Sequence, residues 1–195
     1  MNNAILAAGA APEEVTSALE RGERLLWLGG PRQGLRLRGA DVFLIPFSLL
    51  WAGFAIFWES SVLAIPNSPF FMKLWGIPFV LIGLYFVAGR FFADAKMRDT
   101  TVYAVTNQRA LIFSGIFRRE TKSLTLRNVP EVSVVKARDG SGTISFGSVP
   151  PFAAFSSGFA GWPGYGRNLP PQFDMIDDVA QVATLLRDTQ RSASA

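Results

Sequence analysis

Two long apolar stretches dominate the hydropathy pattern. Val42 to Trp58 carries no charge and is bounded by Asp41 and Glu59. At a helical rise of about 1.5 Å per residue it predicts a helix about 25 Å long, the short end of what crosses a hydrocarbon core. Phe70 to Phe92 is longer, and its two charges, Lys73 and Arg90, lie within a turn of its ends, where long side chains reach the headgroups. The competing reading is a pair of buried helices in a soluble protein. Such helices keep a polar stripe for water, and neither stretch has one. Trp58, Trp75 and Tyr85, with Trp51, include rings near the ends, where the interface suits them. Pro46 and Pro78 stand near the starts, where a missing N–H costs least.

Glu59 to Pro69 is short and rich in turn formers, so it reads as a connecting loop. The pattern predicts an antiparallel hairpin with spans at about 42–58 and 70–92. Ser48, Ala52 and Ala55 on one span and Gly76 and Gly83 on the other would allow close approach of the backbones. Arg32, Arg36 and Arg38 precede the first span, and Arg90, Lys96 and Arg98 follow the second. The positive-inside bias therefore predicts that both termini are cytoplasmic.

Outside the hairpin the pattern changes. Residues 1–40 predict an apolar, flexible lead-in over Met1–Ala11, a short helix from Pro12 to Gly22, and a strand over Arg24–Leu28 closed by Gly29-Gly30-Pro31. The lead-in lacks the charged and long apolar regions of a signal peptide. Residues 94–190 predict an antiparallel meander: Thr101–Thr106, a turn at Asn107-Gln108, Arg109–Ser114, Arg118–Leu126, Glu131–Ala137, the turn Arg138–Gly142, and Thr143–Phe146. Ser148 to Pro171 reads as a loop rich in Gly, Pro and aromatic residues, either a mobile insertion or an aromatic flap for lipid or a partner. Gln172 to Gln190 reads as an amphipathic helix, with Asp174, Asp177 and Asp178 in its first turns and Arg187 near its end, as the helix dipole favours. Residues 191–195 read as a disordered tail.

Composition supports lipid contact. Charged residues make up 17% of the chain, against about 25% in ordinary soluble domains. The chain has no Cys and no His, which removes disulfides, thiolate nucleophiles, the usual zinc sites and imidazole acid/base chemistry. No phosphate-binding Gly loop appears, and no cofactor is implied.

A short-strand meander closed by one amphipathic helix is the outline of a pleckstrin-homology (PH) fold. The run Thr101-Val-Tyr-Ala-Val-Thr-Asn-Gln-Arg-Ala-Leu-Ile112, with Glu23-Arg-Leu-Leu-Trp-Leu-Gly-Gly-Pro31 before the first span, resembles the bacterial PH-like domain membrane proteins. The resemblance covers about residues 20–187 and departs over 148–171. It implies an α+β membrane protein, a two-helix transmembrane hairpin followed by a PH-like antiparallel β-domain with a C-terminal amphipathic helix, in the bacterial cytoplasmic (inner) membrane. It also implies a non-enzymatic module, some relatives of which form oligomers.

The region from Arg90 to Arg138 carries ten Lys or Arg against four acids. Arg118, Arg119, Lys122 and Arg127 are the densest group. They read either as a solvated basic edge that blocks strand pairing or as a contact for anionic headgroups or an acidic partner. Nucleic acid is not expected, because no binding motif accompanies the cations. Asn107 and Arg109 read as structural turn residues, the guanidinium tying turn carbonyls or a carboxylate of the final helix. Three functions follow: a membrane-tethered binding or scaffolding module contacting lipid headgroups or a protein partner, a structural homo-oligomer, and a lipid-processing enzyme using Asp94 and Asp99.

Overall fold

The computed structural model describes residues 12–116, 119–129, 131–148 and 170–194. Of these, the residues up to Gly34 and from Lys96 onward form one compact unit, and Leu35–Ala95 form a second. The lead-in over 1–11 and nearly all of the 148–171 loop lie outside the described residues.

The first unit is α+β. Helix α1 (Glu13–Ala18) follows Pro12 and carries Glu13 and Glu14 in its first turn, as the dipole favours. Strands β1 (Leu25–Gly29), β2 (Val102–Thr106), β3 (Arg109–Ser114) and β4 (Glu120–Thr125) form an antiparallel sheet in that order. Strands β5 (Val132–Lys136), β6 (Gly142–Phe146) and β7 (Gln172–Ile176) form a second.

Burial explains the composition of the strands. Trp27, Tyr103, Val105, Ala110 and Ile112 point from the four-stranded sheet into the main core, while Leu28, Ala104, Leu111 and Phe113 point the other way, onto Val15 of α1. A sheet covered on both faces needs near-continuous apolar strands, and β2 and β3 read that way. The main core is completed by Ile144, Phe146, Phe173 and Ile176 from the second sheet and by Val179, Val182, Ala183 and Leu186. Phe173 is its centre, with ring centroids 4.7 Å from Tyr103, 5.0 Å from Phe146 and 5.8 Å from Trp27.

Three boundaries differ from the sequence expectation. First, β1 pairs with β2, so the segment before the apolar stretches shares a sheet with the region after them. The second unit is an insertion into the β-domain and does not precede it. Second, Gln172–Ile176 is strand β7, and the C-terminal helix of the fold runs from Val179 to Ser194. Asp174 therefore lies on a strand and Asp177 in a turn, not in the helix. Residues 191–194, expected to be disordered, are its last turn. Third, both apolar helices run past the expected ends.

Helix α2 (Asp41–Ala64) continues through Glu59, Ser60 and Ser61, leaving a connection of only Ile65 to Pro69. The second helical run comprises α3 (Phe70–Trp75), α4 (Ile77–Leu84), a π turn over Tyr85–Gly89, and α5 (Arg90–Asp99). Counted as 24 and 30 residues, the two runs are about 36 and 45 Å long. By length and composition both can cross a membrane. Ser48, Ala52, Ala55 and Gly83 are buried, and a Cβ on Gly83 would stand 3.0 Å from the Cα and Cβ of Ala52. This is the close backbone approach that the small residues predict. The C-terminal helix, α6 (Val179–Ser194), completes the element order.

Gly142 tests the packing of β6 against β5. A Cβ there would stand 2.2 Å from the carbonyl oxygen of Val135 and 2.9 Å from Val179 Cγ1, whereas Gly39 faces open space. Gly142→Ala is expected to cost about 1–3 kcal/mol, and Gly39→Ala less than about 0.5 kcal/mol, read as shifts in the thermal unfolding midpoint of the purified protein.

Candidate functional site

The β2–β3 turn is tied to the chain ahead of β1. The Asn107 side-chain oxygen accepts the Arg24 N–H at 2.8 Å, and its own N–H donates to the Arg24 carbonyl at 3.1 Å. Its amide thus acts as one more peptide group in the β1–β2 ladder. Arg109 grips Glu23 with two bonds, Nε to Oε1 at 2.8 Å and an amino group to Oε2 at 2.7 Å. The Thr106 hydroxyl donates to Oε1 at 2.6 Å, and the Glu20 N–H donates to Oε2 at 2.8 Å. Arg109 also reaches Glu20 at 3.0 Å and the Ala18 carbonyl at 3.0 Å. The carboxylate that Arg109 holds therefore comes from the N-terminal segment, not from the final helix.

The Glu23 side chain is fully buried. Its hydrogen bonds from Arg109 outweigh the cost of burial and hold its pKa at about 2, and the same contact raises that of Arg109. Glu23 is a structural group, because every bond around it secures its ionised form.

Of the four expected contact cations, the three described ones are spread out. Arg119 pairs with Glu14 at 2.8 Å and donates to the Thr100 carbonyl. Lys122 lies within β4, opposite Ile112. Arg127 is exposed in a 3-10 turn, Leu126–Asn128, beyond the far end of that strand. A strand rises about 3.3 Å per residue, so the two ends of β4, Glu120 and Thr125, which separate Arg119 from Arg127, stand about 17 Å apart. Arg118 lies outside the described residues.

Two further cations of the first unit, Arg32 and Arg98, have partners. Arg32 bonds Asp139 and Asp177. Asp139 is held at a pKa of about 2, chiefly by bonds from the Ser141 hydroxyl and N–H. Arg98 is buried and donates to the Arg32 and Gly34 carbonyls, each at 2.7 Å. From their places beside the apolar stretches, Arg32 and Arg98 read as membrane-flanking charges. Their role in tying the chain after β1 had no local signal, since the partners are remote.

In the second unit, Arg90 pairs with Asp41 at 2.6 Å, both side chains almost fully buried, and Arg38 pairs with Asp94 at 2.9 Å. These pairs join the start of α2 to the end of the second helical run. Asp94 is thus engaged by Arg38, and Asp99 by Lys96 at 3.1 Å. The two carboxylates suggested for catalysis each have an ion-pair partner. Among the described residues no group of three acids stands close enough to hold a metal ion.

The model of the bacterial PH domain family matches residues 42–189. No curated protein and no solved structure matches the chain.

Replacing Glu23 tests the turn. Glu23→Gln leaves Arg109 with Glu20 as its one carboxylate partner, and the expected loss is about 2–3 kcal/mol, below the usual cost of breaking a buried pair because the guanidinium keeps that carboxylate. A carboxyl whose pKa is depressed stabilises the fold above its unfolded value and loses that contribution as pH falls toward the folded value. Stability should therefore decline between pH 4.5 and about 2, and Glu23→Gln should flatten that decline in urea unfolding measured at stepped pH.

Proposed function

The chain belongs to the bacterial PH domain family, a family of binding modules and not of enzymes, and from that premise we propose that it is a membrane-tethered binding or scaffolding module. Two spans hold the β-domain at the cytoplasmic face of the bacterial inner membrane, where it meets lipid headgroups or a protein partner. The observation that carries this reading is the exposed apolar surface of the second unit. Only 28% and 11% of the most apolar windows of the two helical runs are buried, and Leu50, Phe54, Phe57, Phe71 and Leu81 stand more than half exposed. Core helices of a soluble protein would be covered, and this surface far exceeds the few hundred Å² that soluble monomers expose.

The charges fit the same setting. Asp41 and Arg90, both near the same ends of the hairpin, neutralise each other, which lowers the cost of placing them close to hydrocarbon. Lys73 is the one cation near the opposite end, so the positive-inside bias favours both termini inside.

A homo-oligomer formed through sheet edges is the second reading. Among the described residues edge strand β4 offers an unpaired side, but Glu120 and Lys122 on it disfavour pairing with another strand. The lipid-processing reading is weaker again, because Asp94 and Asp99 are held in ion pairs.

The absence of native cysteine makes topology direct to test. Pro66→Cys in the connection should react with an impermeant maleimide added to intact spheroplasts, and Ser192→Cys only after permeabilisation. Release of the protein by alkaline carbonate, or equal protection of both sites, would refute the two-span arrangement. The headgroup version has its own test, with residues 12–34 joined to 96–194 as a span-free chain. Replacing Arg118, Arg119, Lys122 and Arg127 together with Gln should weaken its flotation with phosphatidylglycerol vesicles by about fivefold for each contacting cation. Unchanged, salt-insensitive flotation would leave a protein partner as the ligand.

A further inference from the structure

Between the β-domain and the first apolar helix lies the segment Gly34-Leu-Arg-Leu-Arg38. It has no regular secondary structure, yet both ends are secured. The Gly34 carbonyl accepts from Arg98 at 2.7 Å. The Arg38 N–H donates to Asp41 at 2.6 Å, and its guanidinium to Asp94 at 2.9 Å. Between these anchors, Leu35 is 62% and Leu37 is 70% exposed. Arg36 is also exposed, and no ion pair among the described residues holds it.

We propose that Leu35–Leu37 is an interfacial lipid contact, in which the two leucines enter the headgroup–acyl boundary and Arg36 meets the phosphate of an anionic phospholipid. This rests on the two-span reading above and adds the lipid class and the residues.

Reach, continuity and charge support this one occupant. Leu37 is four residues before Asp41, so their Cα atoms are at most about 14 Å apart. Each headgroup layer is about 6 Å thick, so a segment this close to the start of a span can reach into it. The run of exposed apolar residues also continues along the chain from Leu35 and Leu37 to Val42, Phe43 and Phe47 at the start of α2. At an anionic boundary the leucines lose water while the guanidinium keeps a phosphate partner.

Single cysteines at Leu37, at Phe54 in mid-helix and at Ser192 on α6 place three spin labels on the full chain. Each is reconstituted in phosphatidylcholine and in phosphatidylcholine with phosphatidylglycerol. Accessibility to oxygen and to a water-soluble nickel chelate then reports depth. The expected result is a Phe54 label reached by oxygen but not nickel, a Ser192 label open to nickel, and a Leu37 label several-fold less open to nickel than Ser192. The Leu37 label should sink further when phosphatidylglycerol is present, and Arg36→Gln should remove that increment. A Leu37 label as open to nickel as Ser192, with Phe54 still in lipid, overturns the inference and leaves the spans standing. A Phe54 label open to nickel overturns the two-span reading itself. An increment that survives Arg36→Gln overturns the phosphate contact.

Discussion

The pairing of β1 with β2 is the constraint on which the β-domain depends. The chain leaves the sheet after Gly29 and returns at Val102 only after two apolar helical runs. Closing a flexible loop of about 70 residues costs about 4 kcal/mol in chain entropy, before any strand hydrogen bond forms. The hairpin removes most of that cost once it has formed. Asp41 with Arg90, and Arg38 with Asp94, bring its two ends together, so what remains to be closed is a few residues on each side. The sheet is then secured by Trp27, which places the first strand in the core, and by Glu23 under the β2–β3 turn. Burial of one large side chain contributes about 1.5–3 kcal/mol, comparable with the remaining closure cost.

This explains why two structural signals stand next to each other in the motif from Thr101 to Ile112. Asn107 extends the ladder toward Arg24, and Arg109 reaches Glu23. Both recognise the segment ahead of the insertion. Buried ion pairs are weak stabilisers against an apolar alternative but discriminate strongly against wrong partners. A carboxylate that must sit under one particular arginine suits a strand that has to find its place after a long detour.

Much of the fold is legible in the sequence because it is local. Alternation with tight turns gives β2 to β6, and long apolar stretches with charges absent or confined to their ends give the two helical runs. The close approach at Gly83 follows from small residues at helical spacing. The C-terminal strand is not legible, for a physical reason. Phe173 and Ile176 are three residues apart and both face the core, which imitates helical spacing. On β7 they do so because the register shifts against β6, and Met175 takes φ of 49°. An irregularity of this kind turns a two-residue period into three, and Asp174, Asp177 and Asp178 then resemble a helix start. The partners of Arg32, Arg90, Arg98 and Arg109 are not legible either. Ion pairs are set by which elements meet, and a sequence records no such neighbours.

The same partners change what the positive charge can do. Ten cations against four acids between Arg90 and Arg138 suggest a strongly basic face, but many of them have acids or carbonyls drawn from elsewhere in the chain. Arg90 holds Asp41, Arg98 holds carbonyls, Arg109 holds Glu23 and Arg119 holds Glu14. Charges satisfied inside the fold attract a membrane less than the count implies, since their fields are largely cancelled within a Debye length. Lys122 and Arg127 lie apart on β4 and beyond it, so they form no single phosphate cradle. On the proposed headgroup reading, affinity for an anionic surface would come from a few separate cations acting beside apolar contacts. In the two-span arrangement proposed above, tethering would raise the effective concentration of headgroups at the protein's surface, and weak contacts would then suffice to set how the domain meets the bilayer.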